Sequence, residues 1–515
     1  MIDMPQPLPP PEHFDPSSSM WVDEAIWGHR LYDEQLPWMV FLEFLNVYEF
    51  EVPRGNAFEE PLGLNTLEYR AAHRLYLRNI LFNNPHFADI LLTFPHDTNR
   101  WDEWSKRMKS ATGLNYPKFD YLKKHFQSFE EFCEIVSLIR STSLEVNSNK
   151  RWTSKFVFPY GKHCLYEDLD NRAATNDRRF FGRTGELLYL MICRSQRKRE
   201  LLALLQNRLT KVDDRWDAIV SCLEPEEELR SEPVGSFRAK AFLPYPQHPS
   251  YDKLVEDWIA LLRLNISGFD VFPHLVTMSG LHILNYQLTV SRQLLGSPMP
   301  VQFICEVVAP KKTLVREISS EFYQESNLLP ARAVEEFISR IECSADWQRA
   351  LHESGAFEKC KKILLETVRW GEDYEGPNDP HQMIAALRQA AMKRHRQHVA
   401  NIHRDYGRDI GLISKRGAQK LRYAPTDGLL KALLFANVEK RIELNRFLEK
   451  LHSRYGIVFG DREAEKVLPK GDFDKKPFQA NSRRLEQRLS SLGLLRRLSD
   501  GCAYVINPYH KETNR

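Results

Sequence analysis

Apolar residues recur at intervals of three and four along most of the chain, which is the spacing of a helix with one buried face. The run GELLYLMICRSQRKRELLALLQNRL is typical of this pattern. The same spacing predicts helices over residues 67–82, 129–140, 185–209, 251–265, 273–295, 331–342 and 379–407. Stretches typical of strands are short and occupy residues 301–309, 456–460 and 502–507. The pattern therefore predicts a mainly α protein.

Three segments interrupt the helical pattern. Residues 224–236 are acidic and contain proline, residues 369–380 are acidic and rich in turn formers, and residues 411–427 are basic without apolar periodicity. A chain of 515 residues is also too long for one ordinary core. We therefore predict a proline-rich extended or disordered arm at 1–24, an N-terminal helical domain at 25–223, a middle helical domain with a short strand at 237–370, a basic helix and linker at 379–425, and a C-terminal domain at 426–510.

The C-terminal domain has the most diagnostic order of elements. Thr426 or Asp427 is expected to cap a first helix, and Gly456 to end a second one. Asn481 or Ser482 is expected to cap a third helix, and the dipeptide Asp500-Gly501 lies between two strand-like runs, as in a hairpin. Three helices followed by a hairpin predict a winged helix, which is a variant of the helix-turn-helix.

Charge is distributed unevenly along the chain. The net charge is only +3, but residues 393–515 contain 27 Lys and Arg against 14 Asp and Glu. A basic terminal domain favours nucleic acid, because neutralising phosphates releases counterions. The third helix of a winged helix can enter the major groove, and arginine can bond two phosphate oxygens or a guanine edge. We therefore predict that duplex DNA is contacted by Arg483, Arg484 and Arg488 on the third helix, by Arg496 and Arg497 at the base of the wing, and by Lys393, Arg394, Arg396 and Arg404 upstream. The alternative is that these side chains are solvated or dock on an acidic protein.

The stretch RRFFGRTGELLYLMICRS, residues 178–195, raises the question of a phosphate-binding loop. A P-loop needs the spacing GxxxxGK followed by Ser or Thr, and this stretch has neither the spacing nor the lysine. What remains is a turn into a helix, with Thr184 as its expected cap. Arg178, Arg179 and Arg183 beside a helix N-terminus are candidates for an anion or partner contact, and the alternative is that they pair with acidic neighbours.

Other catalytic patterns are incomplete. The histidines 395, 398 and 403 do not form a HExxH motif. The run ICEVVAPKK, residues 304–312, resembles the strand of a restriction-type nuclease, with Asp270 as the acidic partner of Glu306, but no lysine stands two positions after Glu306. We therefore predict no catalytic residue, no metal site and no cofactor.

The cysteines and the N-terminus bear on the compartment. The eight cysteines are far apart and form no CxxC pair, which indicates reduced thiols. No apolar run reaches the ~18 residues that a membrane-spanning helix needs. The first residues lack the basic and apolar regions of a secretory signal. These features predict a cytoplasmic protein with no membrane partner.

The chain resembles accessory proteins of prokaryotic antiphage defence systems. The resemblance is carried by the 178–195 stretch, by HLVTMSGLHILNYQL with REISSEFYQESN, and by APTDGLLKALLFANVEKRIELNRFLEKLHSRYGIVFG with LSDGCAYVINP. It is strongest to the non-catalytic component of a methylation-associated defence system, and looser to accessory proteins of phosphorothioation-dependent restriction. The resemblance implies an ATPase or nuclease partner encoded alongside, and it transfers no catalytic residue.

These observations predict a non-enzymatic subunit that bridges a partner ATPase or nuclease and DNA. Two alternatives remain open. One is a magnesium-dependent nuclease with an unrecognised active site, and the other is a winged-helix transcription regulator of the defence operon.

Overall fold

The structure of the protein is a computed structural model, and it describes most of the chain. The described residues are 7–10, 22–59, 67, 69, 74–84, 86–111, 118–143, 160–166, 169–170, 175–176, 182–210, 215–226, 241–297, 299–310, 313–372, 374–415, 420–469, 473–499 and 502–510. The protein is mainly helical, as the apolar spacing predicts.

The helices described before residue 300 are α1 (Val22–Trp27), α2 (Pro37–Glu51), α3 (Leu75–Phe82), α4 (Phe87–Thr93), α5 (Asp97–Ala111), α6 (Phe129–Ser143), α7 (Thr184–Cys193), α8 (Lys198–Leu205), α9 (Arg215–Ser221), α10 (Pro249–Leu262) and α11 (Gly268–Leu294). Those after it are α12 (Leu314–Glu342), α13 (Ala345–Leu351), α14 (Ala356–Val368), α15 (Pro380–His398), α16 (Ile402–Asp409), α17 (Asp427–Asn437), α18 (Leu444–Tyr455), α19 (Asp461–Val467) and α20 (Lys475–Ser491). Short 3-10 turns cover Val52–Arg54, Asp120–Lys124 and Lys162–Cys164, and a π-helical turn covers Gln206–Thr210.

The strands of the described residues are short and form four small sheets. They are β1 (Leu169–Asp170), β2 (Thr175–Asn176), β3 (Phe303–Ile304), β4 (Ile413–Ser414), β5 (Arg422–Tyr423), β6 (Arg441–Glu443), β7 (Ile457–Val458), β8 (Leu495–Ser499) and β9 (Cys502–Ile506). Strands β1 and β2 pair antiparallel, as do β4 and β5, whereas β3 and β7 pair parallel. The largest sheet has three antiparallel strands in the order β6-β9-β8.

Several predicted helices differ from the observed ones in length. The helix expected over residues 331–342 is the end of α12, which is 29 residues long and passes through Pro330. Proline removes one backbone donor, but Leu329, Ala333 and Val334 around it are buried, so packing holds the helix together. The helix expected over residues 379–407 is divided into α15 and α16, and the one expected over residues 185–209 is divided into α7, α8 and the π-helical turn.

Helix α11 lies at the centre of the core. It packs on α10, α12, α16, α17 and α2. The buried apolar residues around it form one cluster that runs from Val22 to Val505 and draws on every segment from the predicted N-terminal domain to the C-terminal one. The predicted domain boundaries stay predictions, but the segments they separate share a continuous apolar interior.

The predicted N-terminal arm contains ordered contacts. The backbone N–H of Leu8 donates to the carbonyl of Pro244 at 2.8 Å. Helix α1 begins at Val22, and the indole of Trp27 donates to the carbonyl of Gln287 at 3.2 Å. All six residues of α1 are buried against the body.

The C-terminal segment follows the predicted order with one correction. Thr426 caps α17, and Gly456 ends α18 with a φ of 75°. The two strands of the predicted hairpin pair as β8 and β9, while Asp500 and Gly501 lie outside the described residues. The expected cap of the third helix is wrong: α20 begins at Lys475 with Asp474 as its cap. The structure also adds β6, which the apolar pattern did not indicate.

The true position of Asn481 explains how α20 is attached to the body. Asn481 is fully buried in the second turn of the helix. Its amide donates to the carbonyls of Cys305 and Phe459 at 2.9 and 3.0 Å, and it accepts from the N–H of Val307 at 2.8 Å. One side chain therefore joins α20 to the ends of both β3 and β7.

We expect Asn481→Leu to lower the free energy of unfolding by about 3 kcal/mol or more, because three buried backbone groups would lose their partner. The urea midpoint, followed by circular dichroism, measures this. Gln487→Ala, an exposed change on the same helix, serves as the control. Equal midpoints for the two variants would contradict the role assigned to Asn481.

Candidate nucleic-acid interface

Helix α20 has a buried face and an exposed face. Phe478, Leu485 and Leu489 lie against the core with Asn481. The exposed face follows helical spacing and consists of Lys476, Ala480, Arg483, Gln487 and Ser490. We call these five residues the α20 stripe. It contains two cations and no carboxylate, so it presents positive charge and hydrogen-bonding groups to solvent.

A second exposed cationic surface lies on the three-stranded sheet. Arg496 pairs in register with Tyr504, which pairs in turn with Glu443. The guanidinium of Arg441 lies 5.7 Å from the centre of the Tyr504 ring. Side chains in register share a face of the sheet, so the two arginines flank an aromatic ring there, with Glu443 beside them.

The other predicted contacts of this module have partners inside the protein. Arg484 donates to the carbonyl of Val307 at 3.3 Å. Arg488 donates to Asp427 at 2.6 Å and to the carbonyl of Pro425 at 2.9 Å. Arg497 forms an ion pair with Glu486 at 2.5 Å. These three arginines hold α20 against the body, α17 and the hairpin.

Arg483 and Arg496 differ from those three. Both are exposed, and within the described part of the chain neither side chain has a hydrogen-bonding or ion-pair partner, whereas Arg497 is exposed but paired. They are therefore the predicted residues of this module whose charge is available to a ligand.

The basic residues upstream lie on α15 and α16. Arg394 is largely buried between Asp23, at 3.1 Å, and Glu24 of α1. Arg404 pairs with the adjacent Asp405 at 2.8 Å. Lys393 and Arg396 are exposed. Helix α15 packs on α12, α14 and α1, so Arg394 serves to attach the N-terminal helix to the body.

The turn before α7 is a buried charge network. Arg178 and Arg179 lie outside the described residues. Arg183 has a φ of 81° and is 5% exposed. Its guanidinium donates to both carboxylate oxygens of Glu186 and lies 3.0 Å from Nε2 of His29. Arg183 is therefore paired with an acidic neighbour. This was the alternative to a contact with an anion or a partner.

The N-terminus of α7 already holds an anionic group of the protein itself. The carboxylate of Glu43 accepts from the backbone N–H groups of Arg183 and Gly185, at 3.0 and 2.8 Å, and from the Gln35 amide at 2.8 Å. The side-chain oxygen of Gln35 accepts from the N–H of Thr184 at 3.0 Å. The donors that attract an external anion to a helix start are therefore occupied internally.

One sequence assignment in this turn is corrected. Thr184 is the first residue of α7 rather than its cap, and its hydroxyl donates to the carbonyl of Arg30. The residue with the left-handed conformation in this turn is Arg183. A Cβ at Gly185 would lie 2.5 Å from Cβ of Glu43 and 2.6 Å from the carbonyl oxygen of Val40. Glycine is needed there for the close packing of α7 on α2.

Glu306, the candidate nuclease carboxylate, is fully buried between two arginines. Arg316 donates to one of its oxygens at 2.8 Å and Arg422 to the other at 2.5 Å. Asp270 is exposed at the start of α11, where it bonds Ser267. No group of three or more His, Cys, Asp or Glu residues that could hold a metal ion occurs among the described residues.

Sequence reasoning missed part of the exposed surface. Lys476 and Gln487 complete the α20 stripe, and Arg441 belongs to a strand that was not predicted. If Asp474 had been recognised as the helix cap, Lys476 would have been placed on the same helix as Arg483. Helical spacing would then have put the two side chains on one face.

Comparisons with protein-family models, with curated proteins and with solved structures gave no match. Among the described residues, no helix has the length and apolar character required to cross a membrane.

We expect Glu43→Ala to lower the free energy of unfolding by about 3 kcal/mol, because it leaves buried N–H groups at the start of α7 without an acceptor. The thermal midpoint measures the effect. Glu366→Ala, which removes an exposed carboxylate, should leave the midpoint nearly unchanged. Comparable losses in both variants would contradict this account of the turn.

Proposed function

We propose that the protein binds duplex DNA through α20 and the adjoining sheet, as a non-enzymatic subunit of an antiphage defence complex. The observation that carries the DNA proposal is the α20 stripe: Lys476, Arg483 and Gln487 lie on the outer face of a helix whose inner face is fixed by Asn481. Lysine and arginine suit phosphates, and arginine and glutamine can bond base edges in the major groove.

The order of elements supports a winged-helix assignment. Helix α17 is followed by β6, α18, the short strand β7, the short helix α19, α20 and the β8–β9 hairpin. Strand β6 pairs with β9 of the hairpin, so the sheet has the order β6-β9-β8. In this arrangement α20 would be the recognition helix and the hairpin the wing, with Arg496 next to the duplex.

The DNA contacts are proposed to divide according to whether each side chain has a partner inside the protein. Lys476, Arg483 and Arg496 would contact phosphates or bases directly. Arg484, Arg488 and Arg497 would act as positioning residues, because each is bonded to the body, to α17 or to α20. The assignment to a defence complex with an ATPase or nuclease partner rests on the sequence resemblance, and the cytoplasmic location rests on the scattered cysteines and the composition of the first residues.

Binding of duplex DNA by the purified protein across a salt series tests the proposal. We expect affinity to fall steeply with salt, and Lys476→Ala with Arg483→Ala to reduce the slope of log affinity against log salt by about 2, one for each lost phosphate contact. The matched control is Lys362→Ala with Arg349→Ala, which removes two exposed cations of the body.

Three outcomes would count against parts of this proposal. No DNA binding by the wild-type protein at low salt would overturn it, and the α20 stripe would then be examined as a protein-docking face. Equal loss in the control pair would mean that the contact is not local to α20. Tight binding to one palindromic site would favour the transcription regulator.

A further inference from the structure

Strand β8 of the hairpin contains an apolar side chain that the fold leaves in solvent. Leu498 is 65% exposed, whereas Leu495 of the same strand and its partner Val505 on β9 are buried. Single exposed leucines are ordinary on protein surfaces, so exposure alone does not indicate a site. What distinguishes Leu498 is its place in the hairpin and the charge beside it.

Leu498 is the extra residue of a β-bulge. Arg497 pairs in register with Ala503 and Ser499 pairs with Cys502, so the register passes over Leu498, which has no cross-strand partner among the described residues. Bulges turn a side chain away from the regular alternation of a strand, and they are frequent beside functional sites. The bulge therefore presents Leu498 to solvent near the turn of the hairpin.

The bulge is held next to the α20 stripe. Arg497, which directly precedes Leu498, donates to Glu486 of α20 at 2.5 Å. Glu486 is directly followed by Gln487 of the stripe, and β8 packs along α20. The position of Leu498 relative to a ligand on the α20 stripe is therefore set by the fold.

The charge beside Leu498 favours a nucleic acid over a protein pocket. Arg496, two positions earlier, is exposed and has no hydrogen-bonding or ion-pair partner within the described part of the chain. Strand β8 itself contains no carboxylate, and Tyr504 separates Arg496 from Glu443 across the sheet. An apolar protein pocket that received Leu498 would bring this unpaired charge out of water at a cost. A duplex instead offers phosphates beside an apolar stack of bases.

The geometry of a duplex places the hairpin over the minor groove. If α20 occupies the major groove, which is about 12 Å wide, an element packed beside the helix lies across the phosphate backbone toward the neighbouring minor groove. Apolar side chains, leucine among them, enter the minor groove of DNA in other proteins, where they separate two stacked base pairs and bend the duplex.

We propose that Leu498 enters the minor groove of the bound duplex and separates one base step, while Arg496 contacts an adjoining phosphate. This inference rests on the DNA binding proposed above and adds the class of duplex that is preferred. Separating a base step costs less where the pairing is weak or the step is flexible. The protein therefore prefers mismatched or easily kinked duplexes, a preference that phosphate contacts alone do not produce.

Competition binding with two duplexes that differ only in one central mismatch tests the proposal. We expect the wild-type protein to prefer the mismatched duplex about tenfold, because its base step is already weakened. Leu498→Ala should bind the two duplexes with nearly equal affinity, and Leu498→Met, which keeps a long apolar side chain, should retain the preference. Energy transfer between dyes at the duplex ends should report a bend that Leu498→Ala reduces.

A matched control is available at another exposed leucine. Leu328 of α12 is 49% exposed, so Leu328→Ala removes the same group elsewhere on the surface and should keep the wild-type preference. An unchanged preference in Leu498→Ala would overturn the proposal. Equal affinity of the wild-type protein for the two duplexes would overturn it as well.

The salt series separates this proposal from the DNA binding on which it rests. Leu498→Ala should keep the wild-type slope of log affinity against log salt, because it removes no charge. Wild-type binding with that slope but without a preference for the mismatch would overturn the role of Leu498 and leave the α20 contacts intact. Absence of any DNA binding by the wild-type protein would overturn both.

Discussion

Pairing of buried charge is the constraint on which this structure depends. A carboxylate removed from water is costly unless donors surround it, and removing one partner of a buried pair costs about 3–5 kcal/mol. Several buried carboxylates here recruit donors from another part of the chain. Glu43 of α2 bonds the start of α7, and Glu306 bonds Arg422 across 116 positions of sequence. The pairs therefore act as specific connections between helices that apolar packing alone would leave free to slide.

Asp257 illustrates how such a connection places the C-terminal segment. One of its oxygens accepts from Arg454 at 2.6 Å, and the other lies 2.6 Å from Nε2 of His282 and 2.8 Å from the hydroxyl of Tyr455. Helices α10, α11 and α18 thus meet at one carboxylate. Together with Asn481 and the parallel β3–β7 pair, this junction holds α20 on the body.

The same constraint separates two classes of arginine that residue type alone does not distinguish. Arg394, Arg488 and Arg497 stand in basic stretches, yet each has an acidic partner in the folded protein. Arg483 and Arg496 stand in the same stretches and face solvent without such a partner among the described residues. A basic run is therefore a mixture of structural pairs and available charge, and only the available charge contributes to an interface. The incomplete nuclease motif has a related explanation, since Glu306 is neutralised by two guanidinium groups.

The sequence by itself determined the features that depend on neighbouring residues. The mainly helical character, the Thr426 cap, the Gly456 helix end and the β8–β9 hairpin strands all follow from side chains within a few positions of the groups they satisfy. The tertiary structure decided which charges are buried, which helix face is exposed, and that residues 411–427 contain a strand pair with Arg422 in the core rather than a solvated linker. The physical reason is the sequence distance between partners. The acceptor for the N–H of Arg183 lies 140 positions away, and no local pattern indicates a contact of that range.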